Sequence, residues 1–303
     1  MGRLDGKVAI VSGASSGIGN AIAKALAAEG ATAYMLARNL ERLEAAAKDV
    51  PGAICVPTDV TKRASVQAAI DKVISDSKKI DIVVNCAGVM YFTLMKNQKV
   101  DEWEQTIDIN CKGVVNMCGA SLPHMLAAGA GHIVNISSDA ARTIFPALSV
   151  YNASKAFVQV FTKGLRAECV GTGLRVTDIQ PGDVATNLIM KNSDQEAADK
   201  VGVKIGAVVG DGAAQTAEGR SSVLDASDVA DVVIYSLTAP AHVGMHEVLI
   251  EPRDQMFGDP TAMAVADGAA TRCVEPRCAE GRQPLQPEVL RPPSMGSAAL
   301  EAL

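Results

Sequence analysis

The sequence predicts an α/β fold, a parallel sheet with helices on both faces. Three observations predict it. Strand-like apolar runs alternate with helix-like stretches along most of the 303 residues, and strands joined through helices imply right-handed crossovers within one parallel sheet. Hydrophobic residues make up 48% of the chain but aromatic ones only 3%, so Ala, Val and Ile fill the core, which suits a sheet buried under Ala-rich helices. The first strand also runs into a glycine-rich turn that opens the first helix.

Taken in order, residues 7–11 read as the first strand and 17–29 as a helix, with Ile18, Ile22, Ala25 and Leu26 on one side. Residues 32–37 form a second strand and 40–49 a second helix. A third strand at 53–56 is followed by a helix over 63–77, and a fourth strand spans 80–85. A long helix covers about 100–127, with a break expected near Pro123. Residues 131–137 give the fifth strand, 151–170 a helix, 174–179 the sixth strand, 227–238 a helix and 247–250 the seventh strand. Two segments lose the rhythm. Residues 183–224 are rich in Gly and Ala, and about 186–224 is expected to be a mobile lid. Residues 259–303 hold six of the thirteen Pro and no aromatic residue, and are expected to be a largely disordered tail. Neither resembles a second domain, so residues 1–258 are expected to form a single one.

Composition excludes several classes. The net charge is −6 without a basic cluster, which argues against nucleic-acid binding. No apolar run approaches 18 residues, so no membrane span is expected. The first residues enter a strand without an apolar leader, which argues for a cytoplasmic protein. Cys55, Cys86, Cys111, Cys118, Cys169, Cys273 and Cys278 lack metal-ligand spacing; they read as free thiols in a reducing compartment, with no metal site.

The segment Ser12-Gly13-Ala14-Ser15-Ser16-Gly17-Ile18-Gly19 carries the first chemistry. Gly13 permits a tight turn, Gly17 a close approach of the backbone to a pyrophosphate, and Gly19 close packing of helix on sheet. The helix then presents free N–H groups and a favourable dipole to phosphates. No Gly-Lys-Ser/Thr follows, so this is not a nucleoside-triphosphate loop. The second strand ends in Ala37-Arg38-Asn39. Where an acid would accept from a ribose 2′-hydroxyl there is none, and the Arg38 guanidinium suits a 2′-phosphate instead, with Asn39 beside it. The alternative for Arg38 is a solvated residue at a helix start. Asp59 could accept from an adenine amino group or simply cap a turn.

Tyr151 and Lys155 lie one helical turn apart, so their side chains share a face. A tyrosine titrates near ~10 and is a poor base at neutral pH. A lysine ammonium and a positive nicotinamide ring nearby would lower that value and make a usable general acid/base. Ser138 precedes Tyr151 by 13 residues, at the end of the fifth strand, with Ser137 as its competitor.

With these motifs in place, the sequence resembles a short-chain dehydrogenase/reductase of the single-domain type over about residues 4–257. The resemblance rests on Gly13…Gly17-Ile18-Gly19, Asp59-Val60, Asn85-Cys86-Ala87-Gly88, Asn110, Ser138…Tyr151…Lys155 and Pro181-Gly182…Thr186, in this order and spacing. It implies a Rossmann-type, doubly wound parallel sheet of seven strands in the order 3-2-1-4-5-6-7. It implies an oxidoreductase that moves a hydride between NADP(H) and a secondary alcohol or ketone. Tyr151 would exchange the proton, Ser138 fix the carbonyl oxygen, Lys155 bind the nicotinamide ribose and tune Tyr151, and Asn110 hold a water in a proton relay. The cofactor would lie against Gly13, Ser15, Ser16, Gly17, Ile18, Gly19, Arg38, Asn39, Asp59, Val60, Asn85, Ala87, Gly88, Tyr151, Lys155, Pro181, Gly182, Val184 and Thr186. An NAD-dependent dehydrogenase of the same fold and a non-catalytic, dinucleotide-binding redox sensor are the alternatives.

Three departures from the family pattern stand out. Ser12 replaces Thr and keeps the hydroxyl. Cys86 replaces an Asn and loses a polar contact near the fourth strand. Asp183 places a charge at the base of the lid. Met90, Tyr91, Phe92, Ile144, Phe145, Pro146, Leu148 and Leu188 suggest a mostly apolar substrate. Residues 228–255, ending in Pro252-Arg253-Asp254-Gln255, resemble a subgroup that includes 3-hydroxy acid dehydrogenases and carbonyl or hydroxysteroid reductases. A homodimer or homotetramer is expected, paired through helices carrying Val114, Met117, Leu122, Phe157, Val160 and Phe161.

Overall fold

A computed structural model describes residues 2–188, 192–206, 223–253 and 255. All lie in one compact unit, Met1–Asp267. The tail expected over 259–303, with Cys273 and Cys278, falls outside the described residues, as does most of the expected lid beyond residue 206.

Among the described residues the strands are β1 (Val8–Ser12), β2 (Thr32–Ala37), β3 (Ile54–Pro57), β4 (Ile82–Asn85), β5 (Gly131–Ile136), β6 (Leu174–Pro181) and β7 (Glu247–Ile250). They form one sheet in the order β3-β2-β1-β4-β5-β6-β7, and every pairing is parallel. The chain reverses its direction of travel through the sheet between β1 and β4. At such a point the strands' carboxyl ends leave a crevice, where open α/β sheets bind ligands.

The helices are α1 (Gly17–Ala28), α2 (Leu40–Ala47), α3 (Arg63–Ser77), α4 (Val100–Thr106), α5 (Gly113–Ala128), α6 (Ser149–Glu168), α7 (Gln195–Lys200) and α8 (Ala226–Thr238). Alternation along each strand sends neighbouring residues to opposite faces. Val8 and Ile10 pack with Ile70 of α3, Met117 of α5 and Val158 of α6. Ala9 and Val11 pack with Ile22 of α1, Leu43 of α2 and Val233 of α8. Each fully buried Val, Leu or Ile contributes roughly 1.5–3 kcal/mol, so two complete apolar layers hold the sheet rigid beneath its ligand-facing edge. Asn39 caps α2 by accepting from Arg42 N at 2.8 Å, and Asp225 and Asp228 close a capping box on α8.

Two expectations change here. The long helix runs unbroken through Pro123, which sits inside α5. Its interruption lies earlier, as a π-helical stretch at Ile107–Lys112, where one residue more per turn re-aims the side chains. Val114 and Met117 are buried against the sheet, so they belong to the core and not to a subunit contact. Phe157 and Val160, on the outer side of α6, are exposed along with Val100, Ile107 and Val115. The region expected to be an irregular lid contains the short helix α7, which Asp194 caps by accepting from Ala197 N at 3.1 Å. No helix among the described residues is long and apolar enough to cross a membrane, and no cluster among them could hold a metal ion.

Asp81 pins the opposite, amino-terminal edge of the central strands. Its Oδ2 accepts from Val8 N at 2.9 Å, and Lys7 and Lys79 pair with it at 3.1 and 2.9 Å. Burial pushes the Asp81 carboxyl up, but Lys79, the Val8 N–H and Lys7 outweigh it and hold the group below the usual range. A depressed folded value stabilises the protein above the unfolded value of ~3.9, and the contribution is lost as the pH falls through the folded one. Asp81→Asn is therefore expected to lower Tm at pH 7 by about 2–4 °C, equivalent to about 1 kcal/mol in a chain of this size. The gap to the parent should close as the pH is taken below ~4. Thermal melts across pH check this, and a gap independent of pH would contradict it.

Candidate active site

The site is assembled at the carboxyl ends of β1, β4, β5 and β6. Ser12 closes β1 with a fully buried hydroxyl. Its Oγ accepts from Cys86 N at 3.1 Å and Ala87 N at 3.2 Å, and donates towards Val84 O at 3.4 Å. The backbone N–H of Cys86 thus keeps a polar partner although its side chain is a thiol, which burial pushes up to about 12. Gly13 follows with φ +71°, and a Cβ there would lie 2.8 Å from the Ala87 backbone. A Cβ on Gly19 would meet Gly13 O at 2.5 Å, and one on Gly17 would approach Thr186 Cγ2 at 3.3 Å. Each glycine therefore marks a close approach, and together they bring the loop against Ala87-Gly88 and the start of the expected lid.

α1 begins at Gly17 without a side-chain cap from Ser16 and without an acid in its first turn. Its free N–H groups and positive dipole end suit a pyrophosphate, so this cradle fits a dinucleotide. Arg38, at the end of β2, is exposed. Burial raises the Asp59 carboxyl, but the Thr61 hydrogen bonds and then Arg38 and Lys62 bring it below its ordinary range; Tyr91 is raised by burial and Glu102, with Arg38 opposing. Asp59 Oδ1 accepts from Thr61 N at 3.0 Å and from its Oγ1 at 2.7 Å, so the turn-capping task foreseen for it is real. Asn39 is engaged as the α2 cap. Asn85 turns away from the crevice: its Nδ2 donates to Asn135 Oδ1 at 2.8 Å and lies 3.3 Å from Cys118 Sγ. Its Oδ1 is buried without a partner among the described residues.

Asn110 sits in the π-helical stretch. Its Oδ1 accepts from Val89 N at 2.9 Å, and its Nδ2 donates to Val89 O at 2.9 Å and Ser154 Oγ at 3.0 Å. One side chain therefore fixes the strand-like segment after β4 onto α6. Where Gly88 has no side chain, a Cβ would lie 3.4 Å from Asn110 Oδ1 and 3.7 Å from Lys155 Nζ, so these two polar groups meet at one small face.

Ser137 and Ser138 diverge. Ser137 Oγ donates to Asp178 Oδ1 at 2.5 Å and is spent on β6. Ser138 Oγ lies 2.8 Å from Asp139 Oδ1 and 3.4 Å from Pro181 O, and it acts on the Tyr151 phenol against the effect of burial. Lys155 Nζ donates to Ile136 O at 3.0 Å and stands 5.6 Å from the centre of the Tyr151 ring. The lowering of Tyr151 expected from Lys155 is not what the chain's own residues produce. Burial pushes the phenol above its ordinary range, the Ser138 hydrogen bond opposes this, and the carboxylates of Asp139 and Asp183 add to the rise. Burial likewise pushes the Lys155 ammonium down, against the pull of Cys86, Asp178 and Cys111. A positive charge brought beside Tyr151 would reverse that balance.

Tyr151 faces an apolar wall of Phe92, Ala140, Ala147, Leu148, Ala197 and Val201, with Met90 and Phe145 against it. Ile144 is 73% exposed and lies outside that cluster. The wall depends on α7, which is docked by polar contacts. Asp194 accepts from Leu94 N at 3.0 Å and from Asn97 Nδ2, and Phe92 N donates to Asn192 Oδ1. At its base the expected lid closes on itself, with Val184 bridged to Leu224 and Ala185 N donating to Leu224 O at 2.8 Å. Asp139 and Gln255 meet beside Ser138, a contact that no local motif marks. An acid immediately after a buried strand was the one available signal for the first.

Comparison with known proteins agrees with this geometry. Residues 7–197 match the model of the family described as short chain dehydrogenase. The chain belongs to the short-chain dehydrogenase/reductase family. It is 37% identical over 254 residues to an uncharacterized oxidoreductase of Staphylococcus haemolyticus, covering 83% of this chain and all of that protein. It is 47% identical over 258 residues to a glycine betaine reductase of Emericella nidulans, covering 84% of this chain but spanning only 19% of that much longer protein. The closed form of serine dehydrogenase complexed with NADP+ superposes with a TM-score of 0.72 at 30% identity, covering 83% of this chain and 97% of the other. This short-chain dehydrogenase/reductase is thus an oxidoreductase by family, with a fold that binds nicotinamide dinucleotides.

Proposed function

We propose that the chain interconverts a secondary alcohol and a ketone with NADP(H), using Tyr151 as the general acid and base. The observation that carries the reading is the meeting of Tyr151, Ser138 and Lys155 at the sheet's carboxyl edge, facing the glycine cradle across Gly88. When bound there, the nicotinamide supplies or accepts the hydride. In the reductive direction Ser138 holds the carbonyl oxygen while Tyr151 gives it a proton; in the oxidative direction Tyr151 takes the proton back. Lys155 anchors the ribose side, and Tyr151 loses its proton more easily beside a positive ring. Asn110, bound to both ends of Val89, holds Gly88 open beside Lys155 and keeps the path towards solvent polar.

Tyr151→Phe is expected to lower kcat by about 10²–10⁴-fold, the range of general acid–base catalysis, with NADPH affinity close to that of the parent. Steady-state rates with a panel of ketones, together with NADPH titration, test this. Retention of more than about a tenth of kcat would overturn the role, since that loss is far below the acid–base range.

The NADP preference rests on Arg38, exposed at the end of β2 with no acid at Ala37. Ala37→Asp combined with Arg38→Leu is expected to move the preference towards NADH by about tenfold or more. The acid repels a 2′-phosphate and accepts from a ribose hydroxyl, and a tenfold change is ~1.4 kcal/mol, the size of one charge-assisted contact. Equal use of NADH and NADPH by the unmodified protein would sink the claim. The exposed side chains of Phe157 and Val160 on α6, with Val100, Ile107 and Val115, are the ones we assign to a homodimer or homotetramer contact.

The apolar wall supports a largely apolar carbonyl substrate. A second reading is favoured by the carboxylates of Asp139, Asp183 and Glu251. Asp183 and Glu251 are both raised by loss of water and by the neighbouring charge of Asp139. Such a rim suits a carbonyl compound with a positive group, and the likeness to a protein named for glycine betaine, a quaternary ammonium compound, points the same way. The two readings separate with a matched pair of ketones, one ending in trimethylammonium and one in tert-butyl. A kcat/KM at least about tenfold higher for the cation, ~1.4 kcal/mol of differential transition-state binding, selects the second reading. Parity or the reverse order selects the first.

A further inference from the structure

Asp139 is 7% exposed, stands directly after Ser138, and takes no part in the proton or hydride transfer above. Its carboxylate is nonetheless fully engaged. Oδ1 lies 2.8 Å from Ser138 Oγ and accepts from Ala140 N at 2.7 Å. Oδ2 accepts from Gln255 Nε2 at 2.6 Å. The other end of the same amide, Gln255 Oε1, accepts from Asp183 N at 2.9 Å. Gln255 reaches this place through a turn just after β7, in which its N–H donates to Pro252 O at 3.0 Å. β7 itself is tied to the same loop, since Gly182 N donates to Ile250 O at 2.8 Å. A Cβ on Gly182 would fall 2.1 Å from Gln255 Oε1, so a glycine leaves room for the amide. Its orientation is dictated by its partners: a carboxylate only accepts and a backbone N–H only donates.

We propose that Gln255 is a positioning residue whose amide clamps Asp139 to the turn at Gly182-Asp183, so that the segment after β7 governs how Ser138 presents its hydroxyl to substrate. The proposal rests on the role given above to Ser138. That hydroxyl has one proton, and Asp139 Oδ1 takes it in the structure. To hold a substrate oxygen, Ser138 must release the proton from Asp139. Each further donor on the carboxylate weakens its hold, and Ala140 N and Gln255 Nε2 supply two. Without Gln255, Asp139 keeps a larger uncompensated charge and grips Ser138 more tightly. Asp183 N also loses its acceptor, which frees the turn leading to Val184 and Thr186.

The test exchanges donor and acceptor. Gln255→Ala is expected to lower kcat by about tenfold, the loss typical of one hydrogen bond to a charged group. Gln255→Glu sets two carboxylates against each other, and Asp139→Asn sets two amide donors against each other, so each alone should also lose activity. In Asp139→Asn/Gln255→Glu the Asn donates to the Glu, and the Glu still accepts from Asp183 N. This double variant should recover to within about threefold of the parent, although independent losses would multiply. A readout free of turnover accompanies it: in the cofactor-free protein, hydrogen exchange at the Asp183 amide should quicken in Gln255→Ala and return to the parent rate in the double variant. A parental kcat in Gln255→Ala, or a double variant whose loss is the product of the singles, overturns the proposal. If Gln255→Ala fails to fold, the double variant decides. Activity surviving in Tyr151→Phe would instead remove the catalytic reading, while the exchange result at Asp183 stands or falls by itself.

Discussion

The hydroxyl of Ser12 is the constraint on which the rest of the site depends. β1 and β4 end side by side where the sheet reverses its order, and the chain must leave both strands without losing their separation. One buried oxygen does this by accepting from Cys86 N and Ala87 N. With the strand ends tied, Gly13 meets Ala87 at a spacing that leaves no volume for a side chain. An unpartnered pair of N–H groups here would cost about 1–3 kcal/mol each. The crevice between the ends of β1 and β4 is therefore set by one hydroxyl clasping two backbone N–H groups and not by the size of the side chains around it.

The clasp passes its geometry on through Val89. Asn110 binds both the N–H and the carbonyl of Val89, and reaches Ser154 with its remaining hydrogen. Ser154 lies between Tyr151 and Lys155 on α6, so the segment after β4 and α6 are joined through one amide. The π-helical stretch makes this possible, because in a regular helix Asn110 would point elsewhere. Rigidity along this path matters for chemistry, since a proton donor serves only when held within hydrogen-bonding reach of the atom that receives it.

How far the sequence reveals all this depends on whether a feature is local. The strands and helices were legible because alternation and helical periodicity are written in neighbouring residues, and the bounds of β2, α3 and β7 match residue for residue. The π-helical stretch carries no period of its own, and Pro123 offered a false break. Val114 and Met117 were assigned to a subunit contact because periodicity shows which residues share a face but not what that face meets; here it meets the sheet. The glycines, Ser138, Tyr151 and Lys155 were recognisable by spacing. Asp139 with Gln255, and Asn192 with Asp194, were not, because each contact joins segments about 100 residues apart.

That difference follows the division of labour across the crevice. The side proposed for the cofactor is built from the ends of β1, β2 and β4 and the first turn of α1, whose conformation is fixed by glycines and helix termini close in sequence. The side proposed for the substrate is built around α7, the Asp139–Ala141 turn and Gln255. Its charge balance is set by contacts that no short motif encodes. Burial raises Tyr151, and loss of water together with the charge of Asp139 raises Asp183 and Glu251, with Arg142 opposing the rise at Glu251. A cationic group arriving there would favour the ionised forms of these acids, and its charge would act on Tyr151 in the same direction, against the pull of Asp139 and Asp183.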